Sequence, residues 1–167
     1  MQLLVVRHAR AKDRQQFASS GMPDSERPLT AKGIRRMKKG ARGLRSLVPC
    51  IDLLVTSPLR RAIETGQIIS DVYGGIRFIE RSELAPAAAP QKLIDWLNDQ
   101  PERRITCVVG HEPDLSELLT LVLAQESKRP AKLKKGSATL VKFDAAIKAA
   151  SGRLQWYRPV RELASLI

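Results

Sequence analysis

Short runs of valine, isoleucine and leucine alternate along this chain with segments whose apolar residues recur at a helical period, and this alternation constrains the fold most strongly. Parallel strands need a crossover between them, usually a helix, so the pattern is typical of β–α units. The predicted strands lie near residues 2–6, 51–56, 77–79, 105–109, 139–143 and 154–157. We therefore expect one three-layer α/β/α domain over residues 1–167, with a mainly parallel central sheet.

Four helices are predicted between these strands. Thr30 is placed to cap the first, whose apolar face is formed by Ile34, Met37, Ala41, Leu44 and Val48. The other three cover residues 59–73, 91–98 and 115–123. The segment 126–137 is rich in lysine and has no apolar period, so it is predicted to be a surface loop.

The chain carries 29 lysine and arginine residues against 17 aspartate and glutamate residues, a formal net charge of +12. This excess favours an anionic partner, whether a nucleic acid, an anionic surface or an acidic substrate. Much of it lies on one face of the first predicted helix, from Lys32 to Arg45. That face is predicted to be either a solvated surface or a site that attracts a polyanionic substrate. Aromatic residues are only 4% of the chain, which argues against nucleic-acid binding by base stacking.

The N-terminus and the cysteines indicate the cellular setting. The apolar run from Leu3 to Val6 is too short for a signal-peptide core and far short of the roughly 20 residues of a membrane span. We expect a cytoplasmic protein without membrane contact. Cys50 and Cys107 have no metal-binding or redox spacing, so both are predicted to be small buried apolar side chains, with no disulfide and no metal ion.

Both histidines of the chain follow predicted strands: His8 comes directly after Arg7, and His111 follows the fourth strand. Another strand ends shortly before Arg61. The carboxyl ends of parallel strands meet at one edge of the sheet, where ligands bind. Arginine forks match phosphate oxygens, and cations beside an imidazole keep it unprotonated and nucleophilic. Since the sequence has neither a P-loop nor an acidic cluster suited to Mg²⁺, it predicts phosphoryl transfer to His8, followed by hydrolysis.

Several short motifs, in order along nearly the whole chain, resemble the histidine phosphatase superfamily, which includes phosphoglycerate mutases and acid phosphatases. They are Arg7-His8-Ala9, Arg27-Pro28-Leu29-Thr30-x-x-Gly33, Ser57-Pro58-x-x-Arg61-Ala62, Glu83-Leu84-x-Pro86 and Gly110-His111. The chain most resembles the short SixA-like phosphohistidine phosphatases, and alanine at position 9, where glycine is commoner in the superfamily, fits that group. The resemblance implies a phosphoglycerate mutase-like fold, phosphorylation of His8 during catalysis, and a phosphate pocket that includes Arg7, Arg61 and His111.

Four positions around this pocket require a choice. The resemblance to the mutases and acid phosphatases, in which an acidic residue of this region protonates the leaving oxygen, implies that part for Glu83. The alternative is a loop carboxylate without a catalytic part. Arg27 is either a further phosphate ligand or the partner of a nearby carboxylate. Ser57 either donates to a phosphoryl oxygen or caps the following helix, and the cap is preferred because Ser57 lies at the turn before Pro58. Neighbouring helix residues point about 100° apart, so only one of Arg60 and Arg61 can face the pocket. The spacing to Ser57 favours Arg61 as the phosphate ligand.

Only 50 residues separate Arg61 from His111, which leaves little room for a cap over the site. An open site suits a phosphoryl group carried on a large molecule. The expected function is therefore a protein phosphohistidine phosphatase in signal transduction that needs no metal ion or cofactor. One alternative is an enzyme with the same His8 chemistry that acts on small phosphate esters or pyrophosphates. The other is a non-catalytic basic module that binds phosphate or polyanions.

Overall fold

The computed structural model describes residues 1–101, 104–123 and 132–167. Within these ranges the strands are β1 (Gln2–Arg7), β2 (Leu53–Thr56), β3 (Phe78–Glu80), β4 (Ile105–Gly110), β5 (Ala138–Lys142) and β6 (Arg153–Arg158). The α-helices are α1 (Arg14–Ala18), α2 (Ala31–Leu47), α3 (Arg60–Val72), α4 (Pro90–Asn98), α5 (Asp114–Val122) and α6 (Val160–Ala164). Two single-turn 3₁₀ helices cover Asp24–Glu26 and Ser82–Leu84. Every predicted strand and helix is present.

The strands form one sheet in the order β3-β2-β4-β1-β5-β6. β3, β2, β4 and β1 run parallel, whereas β5 and β6 extend the sheet in antiparallel fashion. The predicted mainly parallel sheet is confirmed. In this order the carboxyl ends of β1, β2 and β4 are neighbours, with Arg7 beside Gly110 and Thr56 beside Val109. The residues that follow these three strands are therefore brought to one edge of the sheet.

Alternate residues of the central strand β1 are buried on opposite faces of the sheet. Leu4 and Val6 belong to one core, together with apolar residues of α2, α3 and α6. Leu3 and Val5 belong to a second core with α4 and α5. Since successive strand side chains point to opposite faces and both faces are covered by helices, all four residues are apolar. The two cores confirm the three-layer arrangement.

The first turn of α2 is tied to the loop that follows His8. Thr30 caps this helix as predicted, and its hydroxyl accepts the Gly33 N–H at 3.0 Å. The Thr30 N–H and hydroxyl both donate to the Arg10 carbonyl oxygen, at 2.9 and 3.1 Å. Gly33 lies so close to that oxygen that a Cβ would collide with it. The start of α2 therefore fixes the backbone at Arg10.

Some local predictions need correction. The helices α1 and α6 were missed by the periodicity because each has only five residues and at most one buried side chain. Residues 51–52, 77 and 143, predicted as strand ends, lie outside β2, β3 and β5. Of the predicted surface loop 126–137, residues 126–131 lie outside the described residues. In the remainder Lys132, Lys134 and Lys135 are exposed as predicted, whereas Leu133 joins the second core and Ser137 is also fully buried.

The two cysteines differ in exposure. Cys107 is buried in β4 as predicted, and burial raises the pKa of its thiol. The prediction for Cys50 is wrong, because it lies exposed beside Pro49 in the connection between α2 and β2. Both cysteines are free thiols. Across the described ranges, no helix is long and apolar enough to cross a membrane.

Candidate active site

The carboxyl ends of β1 and β4 and the start of α3 border a crevice of about 490 Å³. The structure brings Arg7, His8, Arg61 and His111 together as lining residues of this crevice. The His8 backbone N–H donates to the Gly110 carbonyl oxygen at 3.0 Å, which joins the ends of β1 and β4. The centroids of the two imidazole rings are 5.1 Å apart. The sequence segments that carry the predicted chemistry thus meet at a single site.

His8 is held with one ring nitrogen turned to its own backbone. Its Nδ1 lies 2.7 Å from the Ala9 carbonyl oxygen, which can only accept, so Nδ1 carries the hydrogen and Nε2 keeps its lone pair. The Ala9 N–H donates to the Thr65 hydroxyl at 3.0 Å, and that hydroxyl donates to the Arg61 carbonyl oxygen at 2.7 Å. This chain of hydrogen bonds fixes the imidazole against α3.

The surroundings of His8 favour the neutral ring. Burial lowers the pKa of His8 to about 3, and the charges of Arg61 and Arg7 act in the same direction, although the hydrogen bond to Ala9 opposes them. Its side chain is almost inaccessible to solvent, as the residue is only 6% exposed. At neutral pH the Nε2 lone pair is therefore available for attack on phosphorus.

His111 is oriented by Ser57, whose hydroxyl lies 2.7 Å from His111 Nε2. The Ser57 oxygen also accepts the Leu59 N–H at 3.3 Å, which leaves its own hydrogen free for the imidazole. When the hydroxyl donates to Nε2, Nδ1 of His111 carries the ring hydrogen and can donate it to a ligand. The prediction that Ser57 caps the helix is wrong, because α3 begins at Arg60 without a side-chain cap. Its position directly after β2, three residues before α3 begins, was the available signal for a site role.

Three buried nitrogens of the site have no hydrogen-bond partner among the described residues: Arg7 Nε, Arg61 Nε and His111 Nδ1. A buried donor without an acceptor destabilises the folded protein by about 1–3 kcal/mol. An oxyanion in the crevice would supply the acceptors that these nitrogens lack. Two guanidinium groups and an imidazole N–H are donors suited to the oxygens of a phosphoryl group.

The two neighbouring arginines at the start of α3 differ in position. Arg61 is 2% exposed, lines the crevice and donates from Nη1 to the Asp24 carbonyl oxygen at 2.9 Å. Arg60 points away and pairs with Glu64 at 2.9 Å, with its side chain 47% exposed. Burial lowers the pKa of Arg61, and Asp24 opposes this shift. Of these two arginines, only Arg61 is placed to bind a ligand in the crevice.

Arg27 pairs with a nearby carboxylate, one of the two alternatives, and its side chain also lines the crevice. It is 8% exposed and lines the crevice, and it also donates from Nε to Asp24 at 2.7 Å and from Nη1 to the Lys12 carbonyl oxygen at 2.7 Å. Asp24, which the sequence analysis did not select as a site residue, lies 3.2 Å from Arg61 and 3.6 Å from Arg14. Burial raises the pKa of Asp24, but the Arg27 hydrogen bond and the arginine charges outweigh it and leave the pKa lowered.

Glu83 does not line the crevice. Its carboxylate accepts from Arg81, at 3.1 Å from Nε and 2.5 Å from Nη2, and that hydrogen bonding lowers its pKa. A different carboxylate, Glu112, lines the crevice and accepts the Ser116 hydroxyl at 2.8 Å. Its place directly after His111 was the signal that could have identified it. Within the described part of the chain, no group of three or more histidine, cysteine, aspartate or glutamate side chains could hold a metal ion.

Comparisons with known proteins agree with this geometry. Residues 3–88 match the model of the histidine phosphatase superfamily, branch 1. An uncharacterised protein of Picosynechococcus sp. is 32% identical over 149 residues, which cover 87% of each chain.

Solved structures share the fold. The protein histidine phosphatase SixA in complex with tungstate is 22% identical, covers 98% of this chain and 99% of its own, and superposes with a TM-score of 0.82. A proposed phosphohistidine phosphatase SixA of Agrobacterium tumefaciens is 20% identical, with 95% and 97% coverage and a TM-score of 0.77. The motifs around His8 and Arg61, the crevice that gathers them and the matching family model lead to one conclusion: the chain belongs to branch 1 of the histidine phosphatase superfamily.

Proposed function

We propose that this phosphatase is a metal-independent protein phosphohistidine phosphatase that works through a phosphorylated His8. The observation that carries the proposal is the neutral His8 imidazole, with Nδ1 turned to Ala9, in a crevice with three unpaired nitrogen donors. The family supports the phosphatase reaction, and the choice of substrate rests on the shape of the crevice. The proposal extends to a cytoplasmic role in signal transduction, because removing a phosphoryl group changes the charge of the substrate protein.

In the first step the phosphoryl group of the substrate binds between Arg7, Arg61 and His111. The His8 Nε2 lone pair attacks phosphorus, and the bond between phosphorus and the substrate imidazole breaks. That imidazole already carries a proton on its other ring nitrogen, so it leaves as a neutral ring. The arginines stabilise the negative charge of the phosphoryl oxygens during transfer, which is the part a metal ion plays in other phosphatases.

In the second step a water molecule attacks phosphorus of phosphorylated His8. The bond between phosphorus and Nε2 breaks, dihydrogen phosphate leaves with both hydrogens of the water, and the lone pair returns to Nε2. The hydrogen on Nδ1 stays in place throughout, since the Ala9 carbonyl oxygen holds it. Splitting one difficult displacement into two easier ones is the advantage of covalent catalysis.

The open crevice favours a phosphoryl group carried on a protein. Of the described residues between Arg61 and His111 (62–101 and 104–110), only Pro86 lines the crevice, which supports a site without a cap. A small sugar phosphate would need to be enclosed to bind through its other groups, because binding pockets bury most of a small ligand. A histidine on the surface of a protein can reach His8 without such a cap.

A substrate comparison tests this proposal. Initial hydrolysis rates are measured with EDTA for a phosphohistidine peptide, p-nitrophenyl phosphate, a sugar phosphate and a nucleotide. The expected result is a clear preference for the phosphohistidine peptide that EDTA does not change. Preference for a small ester would identify an enzyme with the same His8 chemistry and another substrate. Phosphate binding without turnover of any substrate would identify a non-catalytic module.

A further inference from the structure

Three cations at the crevice have no part in the reaction described above. Arg10, Lys12 and Lys135, here called the mouth cations, line the crevice with exposed side chains. Their side chains make no hydrogen bond or ion pair with any residue in the described ranges. By contrast, the lining residue Arg14 contacts Asp24 at 3.6 Å. The mouth cations are therefore free to meet a ligand.

The charges around the mouth cations are strongly unbalanced. Among the described residues, seven arginines and lysines line the crevice against two carboxylates, Asp13 and Glu112. Both carboxylates are already engaged, since Asp13 accepts the Gln15 and Gln16 N–H groups at the start of α1, and Glu112 accepts a serine hydroxyl. A single phosphoryl group would be met by Arg7 and Arg61. The remaining positive charge exceeds what that group needs.

Lys135 shows the consequence of this imbalance. Burial lowers the pKa of Lys135, and the nearby charges of Arg7, Arg10 and Arg27 lower it further, with only Asp13 acting in the opposite direction. Like charges held together in this way repel one another. An anion bound between Arg10 and Lys135 would relieve the repulsion and would lie beside the transferred phosphoryl group.

A second cavity, of about 590 Å³, adjoins the crevice and differs in character. It shares Lys12, Asp13, Gln16 and Thr30 with the crevice. Its remaining side is formed by the apolar side chains of Phe17 and Met22, together with Ser20. Phe17 is half-buried, and Met22 is 47% exposed. A polyphosphate chain would use the cations but has no apolar part for this cavity. A polypeptide offers acidic and apolar side chains together.

We propose that the mouth cations bind acidic side chains that flank the phosphohistidine of a protein substrate, while Phe17 and Met22 contact an apolar side chain of the same protein. The inference rests on the proposed function, because it names the kind of protein surface that the phosphatase recognises. Electrostatic complementarity of this type raises the association rate and selects among partners more than it changes the chemical step.

The test uses two phosphohistidine peptides that differ only in the flanking residues, with aspartate and glutamate in one and serine and glutamine in the other. The wild-type protein is expected to hydrolyse the acidic peptide with a kcat/KM at least about tenfold higher, mainly through a lower KM. The double variant Arg10→Gln/Lys135→Gln is expected to reduce this ratio at least about fivefold. Phe17→Ser is expected to raise KM for a peptide that carries a flanking leucine.

The matched control is Arg35→Gln/Lys39→Gln, which removes the same charge from the exposed face of α2. The control should keep the ratio between the two peptides. An equal fall in both double variants would mean that net charge alone attracts the substrate, and would overturn the inference. Faster hydrolysis of tripolyphosphate than of either peptide, lost in the mouth variant, would overturn it in favour of a phosphate chain.

A third substrate separates failure of this inference from failure of the proposed function. Phosphoramidate carries a phosphorus–nitrogen bond but no flanking residues, so its hydrolysis reports the His8 chemistry alone. Turnover of phosphoramidate and of both peptides without preference would overturn the docking surface and leave the phosphatase assignment standing. No turnover of any compound with a phosphorus–nitrogen bond would overturn both.

Discussion

The protonation of His8 decides whether the crevice can act, because only a neutral ring offers a lone pair. Burial lowers the pKa of both His8 and His111 to about 3, and the site arginines act in the same direction. We predict that neither ring takes up a proton between about pH 5 and pH 8. NMR spectroscopy can follow both directly, since the chain has no other histidine. A ring that titrates near its ordinary value would contradict the account.

The lowered pKa values also make stability depend on pH. Below the ordinary histidine value of 6.5 the unfolded chain binds protons that the folded chain refuses until about pH 3. The stability that each neutral ring contributes is fully present above pH 6.5. The free energy of unfolding therefore falls as the pH is lowered from 6.5 to about 3. The fall is at most about 1.4 kcal/mol per pH unit for each histidine. Urea unfolding should show a shallower dependence in His8→Gln than in the wild type.

The different positions of Arg61 and Arg60 predict different effects on anion binding. Arg61→Ala removes a buried guanidinium that faces the crevice, whereas Arg60→Ala removes an exposed one that pairs with Glu64. A charge-assisted hydrogen bond is worth about 1.5–3 kcal/mol, so Arg61→Ala should weaken vanadate binding by a factor of about 10 or more. Calorimetry should find Arg60→Ala close to the wild type. Equal losses would show that the wrong arginine has been assigned.

The two carboxylates near the site predict a dependence on the leaving group. An alkyl ester needs a proton on its leaving oxygen, whereas a protonated phosphohistidine does not. Because Glu112 lines the crevice and Glu83 pairs with Arg81 outside it, Glu112→Gln should slow p-nitrobenzyl phosphate hydrolysis more than Glu83→Gln. Neither substitution should slow hydrolysis of a phosphohistidine peptide as much as Glu112→Gln slows hydrolysis of the ester. A larger loss in Glu83→Gln would restore it as the general acid.

Among the elements, α2 positions the site by its close approach to the loop after β1. A methyl group at Gly33 would collide with the Arg10 carbonyl oxygen, so Gly33→Ala must shift either the helix or the loop. Such overpacking costs about 1–3 kcal/mol. Urea unfolding measures the loss, and Lys39→Ala on the exposed face of the same helix is the control, expected within about 0.5 kcal/mol of the wild type. A similar small change in Gly33→Ala would show that the approach is not tight.

The long elements were predictable, and the short ones were not. The apolar stripe of α2 and the cap at Thr30 follow from residue spacing, because a long amphipathic helix repeats its pattern over several turns. The helix α1 has only five residues, too few for an apolar period to repeat. Its N-cap Asp13 cannot be distinguished from a loop aspartate in the sequence. Asp24 lies in a single 3₁₀ turn, so its contacts with Arg27 and Arg61 depend on tertiary packing that no local pattern contains.

In the whole molecule, the site joins residues more than a hundred positions apart in the chain. That His8 and His111 meet at one edge was predictable, because each follows a strand and parallel strands share a carboxyl edge. The strand order, with β1 between β4 and β5, arises from packing across the whole sheet and has no local signature. The contact between Ser57 and His111 arises because β2 lies beside β4 in the sheet. That pairing has no local signature either, which is why the serine was misassigned from the sequence.

Trapping the phosphorylated enzyme tests the central claim most directly. Wild-type protein mixed with a phosphohistidine peptide is quenched within milliseconds, digested under mildly alkaline conditions and examined by mass spectrometry. The account predicts one phosphoryl group on His8, in a form that is stable to alkali and lost in acid. The His8→Ala variant should keep its circular dichroism spectrum, carry no phosphoryl group and retain less than about a hundredth of the turnover. A phosphoryl group on another residue, or turnover by His8→Ala near the wild-type rate, would contradict the covalent mechanism.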